Sequence, residues 1–402
     1  MIKYSFIFYR SEIESIVDKH YPTSFDSARY NIIKSLNKLG KPSILIFNYP
    51  FFFKWHLRPR WGKNIKLLPF LNIKFMSYLS KNFILVLYWL YIIIFKKADV
   101  IVTDLGGVLS LLPVILIKKI FSINVILNLD IRSMSVEIKN EHRVTFNSII
   151  TFISLKIASK YFESSSFITE DLKKVIEKKY KLIFNNYFIW SSGVDTELFF
   201  PKFNQQIKPC FKIIYHGSIS PTRGLEDLIR SLTILKKKNK NIKLVVLGAS
   251  NDYNNFNEYF KKINYIVKEL KLEDSVDFLP PVKHNLVPDI IRDCQLGVVP
   301  FHDKPWWVGQ SPLKLLEYLA CGLPTVVSDI NCNRIIIADN PCGIYFKPED
   351  IQDLATKIEQ IYYEYYDYSH LYNSRRIKGY ELVREFFTWN KQALKIISFF
   401  YN

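Results

Sequence analysis

The stretch 311–324 reads SPLKLLEYLACGLP and carries signals for both ends of a helix. Ser311 suits an N-cap, Pro312 suits the first helical position, and Gly322 can take the left-handed conformation that ends a helix. The start of such a helix presents backbone N–H groups that bind anions. Lys314 falls within this first turn, where the helix dipole disfavours a cation unless an anion is bound. The pattern predicts an anion site, and a solvated lysine is the alternative.

A second segment whose residues could bind a ligand is Gly217–Gly224, which joins a strand-like run to a helix-like stretch. Its glycines let the backbone approach a ligand closely, and Arg223 would aim a charged donor at a diphosphate. Glycine-containing turns between strand and helix occur in many α/β proteins. The combination of this loop with the helix that carries Lys314 is what predicts a diphosphate site.

The strands and helices that must position these residues alternate in the same way in both halves of the chain. Its 402 residues suffice for two domains. Strand-like runs alternate with helix-like stretches in the first half, and the same alternation restarts near Lys212. Each half is therefore expected to be a doubly wound α/β domain with a parallel sheet. The polar segment Leu198–Lys208, which lacks apolar periodicity, is expected to link them.

The composition of the chain indicates which binding partners and which cellular compartment to expect. A net charge of +18 favours phosphate-bearing partners, but no motif that reads nucleic acid is present, so nucleic-acid binding is not expected. The five cysteines show no CxxC spacing, which indicates neither a disulfide framework nor a zinc site. The N-terminus lacks a signal-peptide pattern, which predicts a cytoplasmic protein. The apolar run Phe83–Phe95 is too short to span a bilayer and is expected to form a buried or interfacial helix.

Together these motifs resemble those of the retaining glycosyltransferases of family four, also called glycosyl transferases group 1, which have the GT-B fold. The resemblance rests on the helix and its continuation (311–327), on the segment SGVDTELFFP (192–201), on Phe387–Trp389, and on three shorter matches at 245–248, 276–280 and 289–294. The resemblance implies two facing Rossmann-like domains and a last helix that crosses back. The expected domains are 1–200 on the acceptor side, 201–385 for the donor, and 386–402 as that last helix.

The resemblance also assigns roles to residues. Glu317 is expected to accept hydrogen bonds from the ribose of a nucleotide-sugar donor, with an exposed helix glutamate as the alternative. Family members often carry an acid at the position of Gly309, which leaves recognition of the donor sugar to Asp303 or to backbone groups. The expected donor-binding residues are Gly217, Ser218, Gly224, Gly309, Ser311, Pro312, Leu313 and Glu317. Arg223 and Lys314 are the expected catalytic cations, because they would balance a diphosphate leaving group.

Candidates on the acceptor side come from the first half of the chain. Asp130 and Arg132 follow a strand, where the family usually places groups that face the substrates, so Asp130 is a further catalytic candidate. A structural salt bridge or turn is the alternative. The segment Phe51–Lys63 mixes aromatic and basic residues, which suits a membrane headgroup or the phosphate of a lipid-linked acceptor. A packed loop is its alternative. The expected acceptor or lipid contacts are Arg58, Arg60, Lys63 and Arg132.

The resulting hypothesis is transfer of a sugar, with retention of configuration, from a nucleoside-diphosphate sugar to a glycan or lipid-linked acceptor. Synthesis of a cell-surface polysaccharide or glycolipid, on the inner face of the plasma membrane, is the expected setting. No metal or other cofactor is expected. The alternatives are a nucleotide-sugar epimerase of the same architecture and a non-catalytic sugar-nucleotide-binding protein.

Overall fold

A computed structural model describes residues 3–10, 24–50, 64–70, 76–133, 146–203, 206–238, 240–248 and 253–401. The chain forms two compact units. The first comprises Met1–Ser191 with Gln392–Asn402, and the second comprises Ser192–Lys391. Each unit is built on its own parallel sheet, so the expected doubly wound α/β class is confirmed.

The sheet of the first unit has the order β3-β2-β1-β4-β5-β6-β7. Its strands are β1 (Tyr4–Arg10), β2 (Ser43–Pro50), β3 (Ile65–Phe70), β4 (Ala98–Thr103), β5 (Ile126–Ile131), β6 (Ser164–Phe167) and β7 (Tyr187–Ile189). Its helices are α1 (Ser24–Lys38), α2 (Met76–Tyr91), α3 (Leu112–Phe121), α4 (Phe146–Tyr161) and α5 (Glu170–Tyr180). Neighbouring strands are parallel, and α1 to α5 lie in connections between strands that the structure describes, as is typical of parallel sheets.

The sheet of the second unit has the order β10-β9-β8-β11-β12-β13. Its strands are β8 (Phe211–His216), β9 (Ile242–Leu247), β10 (Val276–Leu279), β11 (Leu296–Val299), β12 (Thr325–Ser328) and β13 (Gly343–Phe346). Its helices are α6 (Leu225–Lys237), α7 (Tyr253–Glu269), α8 (Val287–Arg292), α9 (Leu313–Ala320), α10 (Asn331–Ile337), α11 (Ile351–Tyr366) and α12 (Ser369–Phe386). The strand order reverses between β8 and β11, and open α/β sheets bind ligands at the carboxyl ends of the strands beside such a point.

The first unit ends at Ser191, earlier in the chain than the expected boundary after residue 200. The segment from Ser192 packs on the second unit, because Val194 N–H donates to the carbonyl of Phe387 (2.8 Å) and Phe199 is buried in that unit's core. The last helix, α13 (Trp389–Tyr401), begins in the second unit, and its residues from Gln392 group with the first. There the side chain of Gln392 accepts from Ser191 N–H (2.8 Å).

The apolar run Phe83–Phe95 lies in α2 and in the π-helical turn Ile92–Lys96 that continues it. One side of this helix is buried through Leu85 and Trp89, whereas Phe83 and Leu87 are exposed. Among the described residues, no helix is both long and apolar enough to cross a membrane.

Candidate functional site

The loop after β8 is held in a conformation that requires glycine at two positions. Gly217 has φ +103° and Gly224 has φ +69°. A Cβ on Gly224 would lie 1.6 Å from the carbonyl oxygen of Pro300, so the loop passes directly against the chain that leaves β11. Between the two glycines, a 3-10 turn at Pro221–Arg223 places Arg223 at the carboxyl edge of the sheet. Gly224 therefore permits close packing of two backbone segments, and the approach of these glycines to a ligand stays a prediction.

Helix α9 begins at Leu313, one residue later than the sequence indicates. Pro312 occupies the N-cap position with extended backbone angles, and Ser311 lies before the cap, where its carbonyl accepts from Ser192 Oγ (3.0 Å). The helix therefore starts without a side-chain cap. At the other end the expectation holds: Gly322 has φ +72° and follows the last helical turn.

Lys314 lies in the first turn of α9, but it is a buried residue and not a solvated one. Its ammonium group lies 4.1 Å from the centroid of the Tyr215 ring and 5.2 Å from that of Phe301. A Cβ placed on Gly217 would be 3.6 Å from Nζ of Lys314, so the two segments singled out in the sequence meet here. Within the described chain, Nζ has no hydrogen-bond partner. Burial lowers the pKa of Lys314 well below its usual value, and the positive charge of Arg223 lowers it further.

Arg223 approaches the same group of aromatic rings. Its guanidinium carbon lies 5.6 Å from the ring centroid of Phe301 and 5.2 Å from that of Trp307. These two rings stack on each other, with centroids 4.2 Å apart. Because Lys314 and Arg223 share the Phe301 ring, two cations gather at the carboxyl edge of β8 and β11. Aromatic rings stabilise cations but do not neutralise them.

Glu317 is buried one turn further along α9, which excludes the exposed-glutamate alternative. Its Oε2 lies 2.9 Å from Nε2 of His216, although the contact lacks hydrogen-bond geometry. The backbone N–H of His216 donates to the hydroxyl of Tyr318 (2.9 Å), which ties the end of β8 to α9. A carboxylate and an imidazole thus lie beside the two cations.

The remaining donor-side candidates fall on the surrounding loops. Gly309 has φ +76°, and its N–H donates to Asn331 Oδ1 (3.4 Å). The carbonyl of Ser218 accepts from the hydroxyl of Tyr215 (2.9 Å), and Asp303 is exposed. Phe301, Trp307 and His216 were missed by the sequence reasoning. Phe301 could have been found, because it closely follows β11 at the point where the strand order reverses.

In the first unit, Asp130 is buried and both oxygens of its carboxylate accept hydrogen bonds. It accepts from Arg29 Nη2 (3.0 Å), Trp190 Nε1 (3.0 Å) and Ser166 Oγ (2.9 Å). This geometry supports the structural salt bridge that was the alternative, and it does not support a catalytic role for Asp130.

Arg132 is likewise a buried residue. Its guanidinium carbon lies 3.6 Å from the centroid of the Trp190 ring, and Nη1 donates to the carbonyl of Trp190. Burial lowers the pKa of Arg132 to about 10. The acceptor role of Arg132 stays a prediction, and Arg58, Arg60 and Lys63 lie outside the described residues.

Comparison with known proteins places this architecture in a class. Residues 199–376 match the family model of the glycosyl transferases group 1. The D-inositol 3-phosphate glycosyltransferase of Paenarthrobacter aurescens is 26% identical over 179 residues, which are 42% of this chain and 41% of that protein. The mannosylfructose-phosphate synthase of Agrobacterium fabrum is 24% identical over 215 residues, covering 51% of this chain and 45% of that protein. The chain therefore matches less than half the length of these curated relatives.

Solved structures resemble the chain over its whole length. HepE from Anabaena, in complex with UDP, superposes with a TM-score of 0.71 at 14% identity and covers 98% of both chains. The sucrose-phosphate synthase from Thermosynechococcus elongatus gives a TM-score of 0.70 at 14% identity, also with 98% of both chains covered. The match to the glycosyl transferases group 1 thus covers residues 199–376, in agreement with the resemblance of the motifs, and the chain has the GT-B fold that was expected.

Proposed function

We propose that the chain is a retaining glycosyltransferase that binds a nucleoside-diphosphate sugar in its second unit and passes the sugar to a glycan or lipid-linked acceptor. The observation that carries the proposal is the side-chain nitrogen of Lys314, which is buried without a hydrogen-bond partner among the described residues. A buried charge without a hydrogen-bonded partner is costly, so its retention beside Arg223 calls for an anionic ligand. A diphosphate at the start of α9 supplies that anion.

The proposed chemistry follows from where negative charge develops. When the bond from the sugar to the diphosphate breaks, negative charge grows on the departing phosphate oxygens. Lys314 and Arg223 stabilise this charge in a water-poor site, where a fixed cation is worth more than in bulk water. Glu317 is proposed to accept from the ribose hydroxyls, and His216 beside it to fix the orientation of that carboxylate. The two cations supply the charge stabilisation for which other transferases use a metal, so no cofactor is included in the proposal.

The acceptor and the location are the finer parts of the proposal. The net charge of +18 suits association with an anionic surface, such as the inner face of the plasma membrane. We place the reaction there, in synthesis of a polysaccharide or glycolipid of the cell surface. Arg58, Arg60, Lys63 and Arg132 remain the predicted contacts for acceptor or lipid.

A donor screen that follows release of nucleoside diphosphate tests the proposal. Release that depends on an added acceptor is the expected result. Conversion of the nucleotide sugar into an isomer without any acceptor would establish the epimerase alternative instead. Tight binding of nucleoside diphosphate without turnover of any donor would establish a non-catalytic binder, the alternative that Gly309 in place of the usual acid favours.

A further inference from the structure

Three helices of the first unit share an unusual surface composition. Helices α2, α3 and α4 contain no aspartate or glutamate, and their charged residues are all lysines. The helices α5 and α6, by contrast, both carry acidic residues in their first turns. A helix surface that carries only positive charge is suited to a negatively charged partner.

The same three helices expose large apolar side chains in regular stripes. On α2 these are Leu79, Phe83 and Leu87, and on α3 they are Leu112, Leu116 and Ile120. Successive members are four residues apart and therefore lie on one side of each helix. Phe83 is 64% exposed, Leu116 62% and Ile120 70%. On α4, Ile149, Phe152 and Ile153 are exposed as well.

The three helices are neighbours in the fold. Helices α2 and α4 both contact the 3-10 helix Leu105–Leu111, α3 continues directly from that segment, and α2 also contacts α3. Their stripes therefore belong to one region of the first unit, which we call the α2–α4 face. Large contiguous apolar patches on protein surfaces mark sites of interaction with another protein or with a membrane. Lys119, Lys156 and Lys160 are exposed on the same helices.

We infer that the α2–α4 face docks on the surface of an anionic lipid bilayer, with its apolar stripes in the acyl boundary and its lysines at the headgroups. Amphipathic helices that bind in the plane of a membrane combine these two features. A second copy of this chain would have to bring two acid-free, lysine-bearing surfaces together, which charge repulsion opposes. The inference deepens the membrane association proposed above, rests on that part of the proposal, and is independent of the sugar-transfer chemistry.

The test is flotation of the full chain with vesicles of phosphatidylcholine alone or mixed with phosphatidylglycerol. We expect binding to the mixed vesicles that falls as salt rises. In a variant with Phe83→Gln, Leu87→Gln, Leu116→Gln and Ile120→Gln, binding should fall at least about a hundredfold, because each lost apolar side chain weakens partitioning by about threefold when it is partly inserted and by about tenfold when it is fully inserted. Glutamine keeps good helix propensity, so the helices should persist.

A matched control variant removes four exposed apolar side chains from the second unit: Tyr265→Gln, Leu286→Gln, Leu371→Gln and Ile377→Gln. It should float like the wild type. Circular dichroism and a thermal unfolding curve like that of the wild type show that each variant is folded. Retained affinity for nucleoside diphosphate separates failure at the membrane from failure of the donor site.

Three results would overturn the inference. Absence of wild-type binding to the mixed vesicles would remove membrane association altogether and leave the donor proposal standing. Full binding by the four-site variant, with loss only in an Arg58→Ser, Arg60→Ser and Lys63→Ser variant, would place the contact in the segment 51–63. Conversion of a dimer into a monomer by the four-site variant, without change in flotation, would make the face a contact between copies.

Discussion

The two units bury cations in different ways. In the first unit, Arg29 forms an ion pair with Asp130 whose side chains are both almost fully buried (3.0 Å). In the second, Lys314 is equally enclosed but has no hydrogen-bond partner among the described residues, and Arg223 repels it. Arg29 has a counter-charge in direct contact, although its Nε has no hydrogen-bond partner, whereas Lys314 forms no ion pair among the described residues and is attracted only by the nearby charge of Glu317. A buried cation therefore indicates a binding site through the compensation it lacks, and not through burial alone.

The largest expected effect comes from breaking the buried ion pair between Arg29 and Asp130. Asp130→Ala would leave the guanidinium of Arg29 buried without its counter-charge, and loss of one partner of a buried ion pair costs about 3–5 kcal/mol. Urea unfolding, followed by hydrogen exchange of amides in the first unit, measures this loss. Asp99→Asn is the matched control: Asp99 pairs with Lys3 at the surface, where such pairs contribute at most about 1 kcal/mol. Equal losses in both variants would contradict the structural role of Asp130.

Removal of the uncompensated cations should affect turnover and not folding. Lys314→Ala and Arg223→Ala should each lower kcat by roughly 10²- to 10³-fold, the effect of losing about 3–4 kcal/mol of transition-state stabilisation. Release of nucleoside diphosphate measures turnover, and circular dichroism checks the fold. Lys283→Ala, at an exposed lysine of the same unit, serves as the control and should leave turnover unchanged. Wild-type turnover in the Lys314→Ala, Arg223→Ala double variant would end the assignment of this site.

Glu317 extends the comparison to a buried anion. If its carboxylate binds ribose hydroxyls, Glu317→Gln should weaken donor and free nucleoside diphosphate alike, by about 1.5–3 kcal/mol, since hydrogen bonds to charged groups contribute on this scale. Calorimetric titration with both ligands measures the change in Kd. Glu381→Gln, on the exposed side of α12, is the control. Unchanged affinity for the nucleotide would remove Glu317 from the site.

The sequence predicted local features of the fold better than it predicted burial. The alternation of strands and helices in both halves and the left-handed Gly322 are as expected, because they depend on apolar runs and on backbone conformation within a few residues. The enclosure of Lys314 depends on Tyr215 and Phe301, which come from distant parts of the chain. A pattern of neighbours along one segment does not contain that information.

The contacts of Asp130 could not be predicted from local sequence either. The sequence predicted that Asp130 follows a strand and faces substrate, but Asp130 lies within β5, opposite Ser166 of β6. The groups that surround it, Arg29 on α1 and Trp190 after β7, lie far away in sequence. Only the folded unit shows that they take up the carboxylate. Short-range patterns therefore locate the edge of a sheet, and tertiary contacts decide which polar group at that edge is available.

The smallest expected effect concerns the stability of the ligand-free protein. Lys314→Met keeps most of the volume of the side chain and removes its charge. Because burial lowers the pKa of Lys314, the unfolded chain binds this proton more tightly than the folded one. The charge therefore opposes folding below its ordinary pKa, and its removal should stabilise the free protein near neutral pH. A gain of about 1 kcal/mol would raise Tm by roughly 2–4 °C for a unit of this size.

The lowered pKa of Lys314 also makes nucleotide binding depend on pH, because folding lowers this pKa and a bound anion raises it. A bound diphosphate favours the protonated lysine and raises its pKa, so a proton is taken up at pH values between the free and bound pKa of Lys314. Affinity for nucleoside diphosphate should then be greatest below the free-protein pKa and should fall as pH rises through it. Calorimetry in buffers that differ in ionisation enthalpy measures the uptake, and Lys314→Met, compared at each pH, separates it from protonation of the phosphate. Uptake that persists unchanged in Lys314→Met would assign the proton to another group and leave the ammonium of Lys314 without contact to the anion.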